Sequence, residues 1–247
     1  MRILKITIIL FFITYNINSQ NSFRAYYNVE VIDSTKFKVP EKYLGTKHEV
    51  LLIKRKKETL KTISLSKKID FILDFDNMKS IFYLPKQLDI KKGYISIIKR
   101  IGRFKGTYFT NQEGVLWEKN SFGQDFLVTL PANKWNITNL SKKCGKYLCY
   151  KATLINEIET SRGLKKRHIT AWFSPEIPFN FGPKEFSGLP GLIMQLQEGN
   201  MQYQLKEIVK VDNSKIGQTK IGRKINLYEF NLLSKKMYKS LKLKNPD

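Results

Sequence analysis

Residues 187–193, with the sequence Ser-Gly-Leu-Pro-Gly-Leu-Ile, constrain the fold of this chain more than any other stretch. Proline fixes its own φ angle and keeps the preceding residue extended, so Pro190 holds Leu189 out of a helix. Gly191 can adopt the positive φ angle that the third residue of a type II turn requires. The stretch therefore predicts a structural turn formed by Gly188, Pro190 and Gly191, with a strand beginning directly after it.

The strand prediction rests on alternation of apolar and polar residues, which recurs along most of the chain. Near Lys206 the apolar positions change phase, which predicts a β-bulge. Strands joined in sequence by short polar tips favour an antiparallel sheet. The apolar run at 49–53 is interpreted as a further short segment, followed by a basic loop or exposed strand end at 54–57. The predicted strands cover residues 23–32, 69–75, 80–84, 108–110, 115–117, 124–130, 135–138, 147–155, 168–173, 192–197 and 201–211.

The C-terminal region departs from this pattern and predicts an amphipathic helix over about residues 226–242. Asn226 and Glu229 have the spacing of a capping box, and Ile225 with Phe230 fits a hydrophobic staple. This basic helix either docks on the sheet or binds an anionic membrane surface. The predicted fold class is mainly β (α+β), with a curved, half-barrel-like antiparallel sheet and a C-terminal helix. By analogy of fold alone, a concave sheet of this kind suits acyl chains.

The first nineteen residues have the composition of a secretory signal peptide. Basic Arg2 and Lys5 precede an apolar run over residues 6–15, and a cleavage site follows Ser19. Residues 20–247 are predicted to form a single domain, because no long linker or internal repeat interrupts them. No later stretch reaches about twenty apolar residues, so the exported protein is expected to be periplasmic or extracellular and not membrane-spanning.

The chain is strongly basic, with a net charge of +23 that falls to +21 without residues 1–19. Such a charge can attract anionic lipid headgroups, acidic polysaccharide or nucleic acid. Export argues against nucleic acid and leaves a lipid, a peptide, an outer-membrane protein or the anionic envelope surface as candidate partners. The alternative is that lysines are simply spread over solvated faces.

The region around the predicted turn resembles the GLPGLI family of exported Bacteroidetes proteins, whose biochemical function is not established. The resemblance rests on Trp172–Pro178, Gly182-Pro183, Phe186 and the complete match at Gly188–Ile193. It extends more loosely back to about Phe71. The resemblance implies an exported protein and assigns no catalytic or ligand residues.

Few residues of the chain have the spacing of a catalytic or metal site. Cys144 and Cys149 are separated by four residues, so either they form a disulfide across a tight turn or Cys149 is a core residue and Cys144 is free. His48 and His168 stand far apart, and the expected role of His168 is that of an exposed strand residue. The carboxylates of Asp70, Asp74 and Asp76 are interpreted as a hairpin rim, with weak calcium binding as the alternative. No catalytic residue, metal site or cofactor is predicted.

Aromatic residues cluster around the predicted turn, where they either pack in the core or line an apolar pocket for a lipid or peptide. The predicted function is a non-enzymatic binding protein of the bacterial envelope that holds an apolar or amphipathic ligand, or an outer-membrane partner, on its curved sheet. The alternatives are an assembly protein that docks through its basic surface, and a hydrolase with a scattered site. The candidate ligand-binding residues are Trp172, Phe173, Phe181, Phe186, Leu189, Pro190 and Leu192.

Overall fold

The computed structural model describes residues 21–32, 41–86, 92–160, 163–211, 216, 219 and 221–244. The predicted signal peptide lies outside these residues. Within them, no helix has the length and apolar content needed to cross a bilayer. The elements, in chain order, are β1 (Ser22–Val31), α1 (Lys47–Ser66), β2 (Phe71–Phe75), β3 (Ser80–Tyr83), α2 (Lys92–Ile101), β4 (Thr107–Asn111), β5 (Gly114–Ser121), β6 (Gln124–Leu130), β7 (Asn136–Cys144), β8 (Tyr147–Thr160), β9 (Gly163–Ser174), β10 (Leu192–Glu198), β11 (Met201–Val211), β12 (Arg223–Asn226) and α3 (Leu227–Lys244).

The strands form one open sheet of twelve strands, which confirms the predicted mainly β fold. The strand order is β12-β6-β5-β4-β3-β2-β1-β11-β10-β9-β8-β7. Neighbouring strands are antiparallel except at one edge, where β12 pairs with β6 in parallel. Most neighbouring strands are also consecutive in sequence. The pattern of alternating strands joined by short polar turns was therefore sufficient to predict most of the antiparallel pairing.

Two local predictions are confirmed in detail. In the pairing of β1 with β11, Tyr26 faces Glu207 and Tyr27 faces Leu205, so Lys206 is the extra residue of a bulge. At the start of α3, the Glu229 amide donates to Asn226 Oδ1 at 2.9 Å, and the Asn226 amide donates to Glu229 Oε2 at 3.3 Å. Both follow from short-range sequence patterns, which need no tertiary partner to be recognised.

The interpretation of residues 49–57 is wrong, because this region lies inside helix α1. The four consecutive apolar residues at 50–53 are ambiguous between strand and helix. In α1 the run does not form a buried stripe: Val50, Leu51 and Ile53 are all exposed. Helix α1 instead packs on α2 and β1 through other positions. The helix α2 and the short strand β12 were not predicted.

The turn at residues 188–191 exists, but its hydrogen bonding is not that of a type II turn. The Gly191 amide donates to the Leu189 carbonyl at 2.8 Å, which closes a tighter, three-residue turn. The Leu192 amide, which a type II turn would direct to Leu189, donates to the Ile177 carbonyl at 2.9 Å. Gly191 has the expected positive φ, at 150°. The tertiary partner Ile177 therefore decided the turn type.

Candidate functional site

The chain between β9 and β10, residues 175–191, is here called the corner segment. It is fixed to the core at several points, since Phe181, Phe186 and Leu189 are buried. The Ile193 amide donates to the Phe181 carbonyl at 3.0 Å, and the indole of Trp135 donates to the Ser187 carbonyl at 2.8 Å. The corner segment therefore holds the adjacent charged residues Lys184 and Glu185 at fixed positions.

Lys184 belongs to a group of five charged residues, here called the Glu198 cluster: Glu198, Lys184, Arg103, Arg167 and Glu185. Glu198 lies at the end of β10 and is 2% exposed. Its carboxylate is 2.5 Å from Lys184 Nζ, 2.9 Å from Arg103 Nη1 and 3.1 Å from Arg167 Nη1. Arg167 also reaches Glu185 Oε1 at 3.3 Å. One buried carboxylate thus holds three cations that come from the α2–β4 loop, from β9 and from the corner segment.

Two of the three cationic residues have a strained backbone conformation. Among the described residues, only three non-glycine residues have a positive φ angle, and two of them are Arg103 at 46° and Lys184 at 57°. Arg103 occupies the position after α2 where glycine is usual: its amide donates to the Arg100 carbonyl, and the Phe104 amide donates to the Lys99 carbonyl. A residue with a Cβ atom in this conformation costs about 1 kcal/mol. Strain of this kind is typical of functional sites, where a particular side chain is needed.

The electrostatics of the cluster favour an ionised carboxylate. Burial alone would raise the pKa of Glu198, but the charges of Lys184 and Arg167 and the hydrogen bonds from Lys184 and Arg103 outweigh burial and lower it to about 2. Glu198 therefore carries a full negative charge at neutral pH and serves to organise the cations around it.

A cavity of about 380 Å³ adjoins the cluster and is here called the α3 cavity. Its wall combines aromatic, aliphatic and charged side chains from β4, β5, β8, β9, α3 and the corner segment. Arg167 and Glu185 belong to both the cluster and this wall. The lining residues are Lys105, Tyr108, Trp117, Leu130, Pro131, Ala132, Asn133, Asn156, Glu157, Arg167, Glu185, Leu227, Phe230 and Asn231.

The α3 cavity shows how strongly the sheet curves. Trp117 on β5 and Arg167 on β9 line the same cavity, although their strands are seven positions apart in the sheet order. In a flat sheet that separation would be about 34 Å. The two halves of the sheet must therefore curl toward each other, and the cavity lies between them with α3 on its wall.

The polar atoms of the α3 cavity are incompletely satisfied. Five buried side-chain nitrogen or oxygen atoms of the described residues have no hydrogen-bond partner. Three of the five belong to residues that line this cavity: Trp117 Nε1, Arg167 Nε and Glu185 Oε2. Since buried polar groups in proteins are almost always paired, three such atoms on the residues of one cavity mark it as a candidate site.

A second cavity, also of about 380 Å³, is here called the cationic pocket. Lys105 and Arg167 line both cavities. Burial lowers the pKa of Lys105, an effect that Glu185 opposes and that Arg167 and Lys184 reinforce. The residues of the cationic pocket are Lys99, Arg100, Arg103, Phe104, Lys105, Arg167 and Glu198.

The residues predicted as ligand contacts lie elsewhere. Five of the seven have side chains that are at most 4% exposed and pack in the main hydrophobic core; they are named at the end of this paragraph. Trp172 is half-buried and Pro190 is exposed. None of the seven lines the α3 cavity or the cationic pocket. A side chain enclosed by protein supplies packing in this structure, so a ligand role for these residues stays a prediction. The five enclosed residues are Phe173, Phe181, Phe186, Leu189 and Leu192.

The predicted cysteine pair is close together but is not bridged. Cys144 and Cys149 are both free and buried at the end of the β7–β8 hairpin. A hydrogen bond from Cys149 lowers the pKa of Cys144 to about 7, and the same contact raises the pKa of Cys149. Proximity leaves both alternatives of the sequence analysis chemically open, and the disulfide stays a prediction.

The carboxylates of the predicted hairpin rim each have a protein partner. Asp74 accepts two hydrogen bonds from Arg24, at 2.7 and 2.9 Å. Asp76 accepts from the amides of the turn between β2 and β3, and Asp70 pairs with Lys206 at 2.7 Å. Their oxygen atoms are used in holding strands together. His168 is exposed on β9, as expected.

Sequence reasoning missed the Glu198 cluster and both cavities. Their residues are spread along the chain from Lys99 to Asn231, and no short motif joins them. One local signal existed: Lys184 is a charged residue in the middle of a segment rich in proline and aromatic residues. A lysine in such surroundings must either reach solvent or find a buried carboxylate.

Comparison with known proteins gives a partial family match. Residues 159–195 match the model of a family described as "Protein of unknown function (Porph_ging)". The matched region contains Arg167, Lys184, Glu185 and the turn at 188–191, but ends before Glu198. It covers well under half of the 247 residues. No curated protein matches the chain significantly.

Two solved structures of PNGF-II, in space groups P21 and C2, resemble the fold at a low level. They are 10% identical to this chain and cover 86% of it, with TM-scores of 0.47 and 0.48. The chain spans about a third of the length of the PNGF-II chains, 33% and 32%. At this level of similarity, nothing about function transfers to this chain.

Proposed function

We propose that this protein is a binding protein of the bacterial envelope that holds a small amphipathic ligand in the α3 cavity. The observation that carries the proposal is the concentration of unpartnered polar atoms, on Trp117, Arg167 and Glu185, among the residues of one cavity. Of the other eleven lining residues, six are aromatic or aliphatic and five are polar or charged. Ligand pockets typically combine an apolar wall with a few fixed polar groups. The envelope location rests on the predicted signal peptide.

The aromatic wall is preorganised for an apolar group. Trp117 packs edge-on against Phe230 with 5.6 Å between ring centres, and it stacks on Tyr108 at 6.5 Å. These contacts hold the rings in place before a ligand arrives, so little side-chain entropy is lost on binding. The polar end is equally fixed, because Asn133 Nδ2 donates to the Glu185 carbonyl at 2.7 Å.

The test uses the neutral fluorescent probe N-phenyl-1-naphthylamine, which reports entry into an apolar cavity. Asn231 and Leu232 are neighbouring exposed residues of α3, and only Asn231 lines the cavity. We expect Asn231→Phe to fill the cavity mouth and weaken probe binding about 10-fold or more. The matched control Leu232→Phe adds a similar apolar surface outside the cavity and should leave binding unchanged.

A second measurement looks for the natural ligand. The protein is purified gently from its native envelope, and retained small molecules are extracted and weighed by mass spectrometry. A retained amphipathic molecule, lost in Asn231→Phe and kept in Leu232→Phe, supports the proposal. A protein that is empty and does not bind the probe contradicts it and favours docking or catalysis.

A further inference from the structure

The α3 cavity and the cationic pocket share a wall, and this arrangement indicates the charge of the ligand. We propose that the ligand is an amphipathic anion, with its apolar part in the α3 cavity and its anionic group in the cationic pocket. The inference rests on the proposed function and adds to it the chemical class of the ligand. The shared residues Lys105 and Arg167 would lie at the junction between the two parts.

The first support is the charge of the cationic pocket. Five of its seven lining residues are lysine or arginine, and one, Glu198, is acidic. The buried Lys184 ion pair already balances Glu198 from behind the pocket. Lys99, Arg100 and Lys105 form no ion pair with any described residue at up to 4.0 Å, so the cations of this pocket exceed its carboxylates.

The second support is that the end of α2, which carries cations of this pocket, is held in place although Arg103 has an unfavourable backbone conformation. Arg103 takes a positive φ at the end of α2 and is held by Glu198, while the hydroxyl of Tyr203 donates to the Gly102 carbonyl at 2.7 Å. These contacts anchor the last turn of α2, which carries Lys99 and Arg100. Like charges gathered in this way repel one another unless an anion is present. Arginine and lysine gathered in a concave site are typical of carboxylate and phosphate recognition.

The third support is the junction between the cavities. Arg167 contacts Glu185 and Glu198 with its terminal nitrogens, yet its buried Nε atom has no partner. The protein therefore does not saturate the Arg167 guanidinium, which lines both cavities. Lys105, on the same junction, has its pKa lowered chiefly by burial, and a bound anion would favour its charged form.

The experiment compares two probes that differ in one charged group. 1-Anilinonaphthalene-8-sulfonate carries a sulfonate, and N-phenyl-1-naphthylamine has the same rings without it. We expect the sulfonate probe to bind about 10-fold tighter than the neutral probe in 50 mM NaCl, and to lose most of that advantage in 500 mM NaCl because salt screens the cations. The neutral probe should show little salt dependence.

The matched variants remove the same charge from different places. The double variant Lys99→Gln/Arg100→Gln removes two exposed cations of the cationic pocket. We expect it to lower the affinity for the sulfonate probe about 3- to 10-fold and to leave the affinity for the neutral probe unchanged. The control Lys67→Gln/Lys68→Gln deletes two exposed cations beyond the end of α1 and should change neither. Thermal melts of each variant check that the fold is retained.

The outcomes separate this inference from the proposed function. If the neutral probe binds in the α3 cavity but the sulfonate adds nothing, the ligand is not an anion and only this inference fails. If neither probe binds, the proposed function fails as well. If the two double variants lower the affinity for the sulfonate probe equally, the effect comes from the net charge of the protein and not from the cationic pocket, and the inference is overturned.

Two sources of amphipathic anion can then be distinguished by competition. Vesicles that contain phosphatidylglycerol present the anion as a membrane lipid, whereas dodecyl phosphate below its micelle concentration presents it as a free molecule. Displacement of the sulfonate probe by either supports the inference and identifies the source. Failure of both to displace it, at concentrations well above that of the probe, contradicts the inference.

Discussion

Glu198 determines the local structure of the candidate site at the scale of single residues. A buried carboxylate must be paired, and here the pairing is supplied by Lys184, Arg103 and Arg167. Two of these partners adopt backbone angles that side chains rarely take. The unfavourable backbone angles persist because loss of either cation would leave charge uncompensated in a low-dielectric environment.

The first prediction concerns the pH dependence of this cluster. The pKa of Glu198 is lowered from 4.5 to about 2, so its stabilising contribution is complete above about pH 4.5 and is lost as the pH falls through about 2. Glu198→Gln should therefore lower the free energy of unfolding by about 3–5 kcal/mol at pH 7, because it leaves buried Lys184 without its counter-charge. The difference from the unsubstituted protein should shrink toward pH 2. Urea denaturation across this range measures it.

The control for this prediction is Glu157→Gln. Glu157 pairs with Lys166 at 3.8 Å, but both side chains are more than half exposed. An exposed pair contributes little, so the control should change the free energy of unfolding by less than about 1 kcal/mol. A Glu198→Gln protein as stable as this control at pH 7 would contradict the structural role given to the cluster.

At the scale of elements, the corner segment connects packing with the site. Its apolar residues fill the core, and its charged residues Lys184 and Glu185 face the Glu198 cluster and the α3 cavity. The segment ends at Gly191, whose backbone lies against the end of β9. A Cβ atom at Gly191 would be 2.2 Å from the Ser174 carbonyl oxygen and 2.6 Å from its carbon. Close approach of two backbones, as well as a positive φ, therefore requires glycine.

The second prediction orders three substitutions in this element. Gly191→Val should lower the free energy of unfolding by about 3 kcal/mol or more, because backbone atoms of Ser174 cannot move aside without disturbing β9. Gly188→Ala should cost about 1 kcal/mol, since Gly188 has a φ of 87° but nothing within 4 Å of a new Cβ. Pro190→Ala should cost about 0.4–1 kcal/mol, mainly through the entropy of the unfolded chain. Denaturant melts measure all three.

The result that would contradict this account is a Gly191→Val protein no less stable than Gly188→Ala. In that case the corner would be able to shift away from β9. The corner segment would then not be a rigid support for Lys184 and Glu185.

At the scale of the whole molecule, curvature of the sheet and net charge are the two dominant properties. Curvature brings β5 and β9 to one cavity, although seven strand positions separate them. The net charge of +23 gives the molecule as a whole an attraction for anions. Helix α1 exposes both apolar and basic side chains. The exposed apolar residues Val50, Leu51 and Ile53 directly precede the basic residues 54–57.

The third prediction concerns this surface. The protein should bind vesicles that contain anionic lipid more strongly than zwitterionic vesicles, and binding should weaken as NaCl rises from 50 to 500 mM. Co-sedimentation of protein with vesicles measures both effects. Replacing Lys54, Arg55, Lys56 and Lys57 by glutamine tests the role of α1. Equal sedimentation with the two kinds of vesicle would mean that the lysines only solvate the surface.

Short-range patterns in the sequence determined the strands, the bulge at Lys206, the capping of α3 and the need for glycine at position 191. Each of these depends on neighbours in the chain: period-two alternation, a change of phase, a three-residue spacing, and proline beside glycine. The interpretation of residues 49–53 was wrong for the same reason, because four consecutive apolar residues do not distinguish a strand from a helix. Its packing partners β1 and α2 selected the helix.

The candidate site was decided by tertiary structure alone. Arg103, Arg167, Lys184 and Glu198 have no common spacing, and they meet only because the tertiary structure brings the α2–β4 loop, β9, β10 and the corner segment together. Even the turn type at 188–191 depended on the distant carbonyl of Ile177. Local propensity fixes which residues become strands, whereas the burial of charge requires partners that only long-range packing supplies.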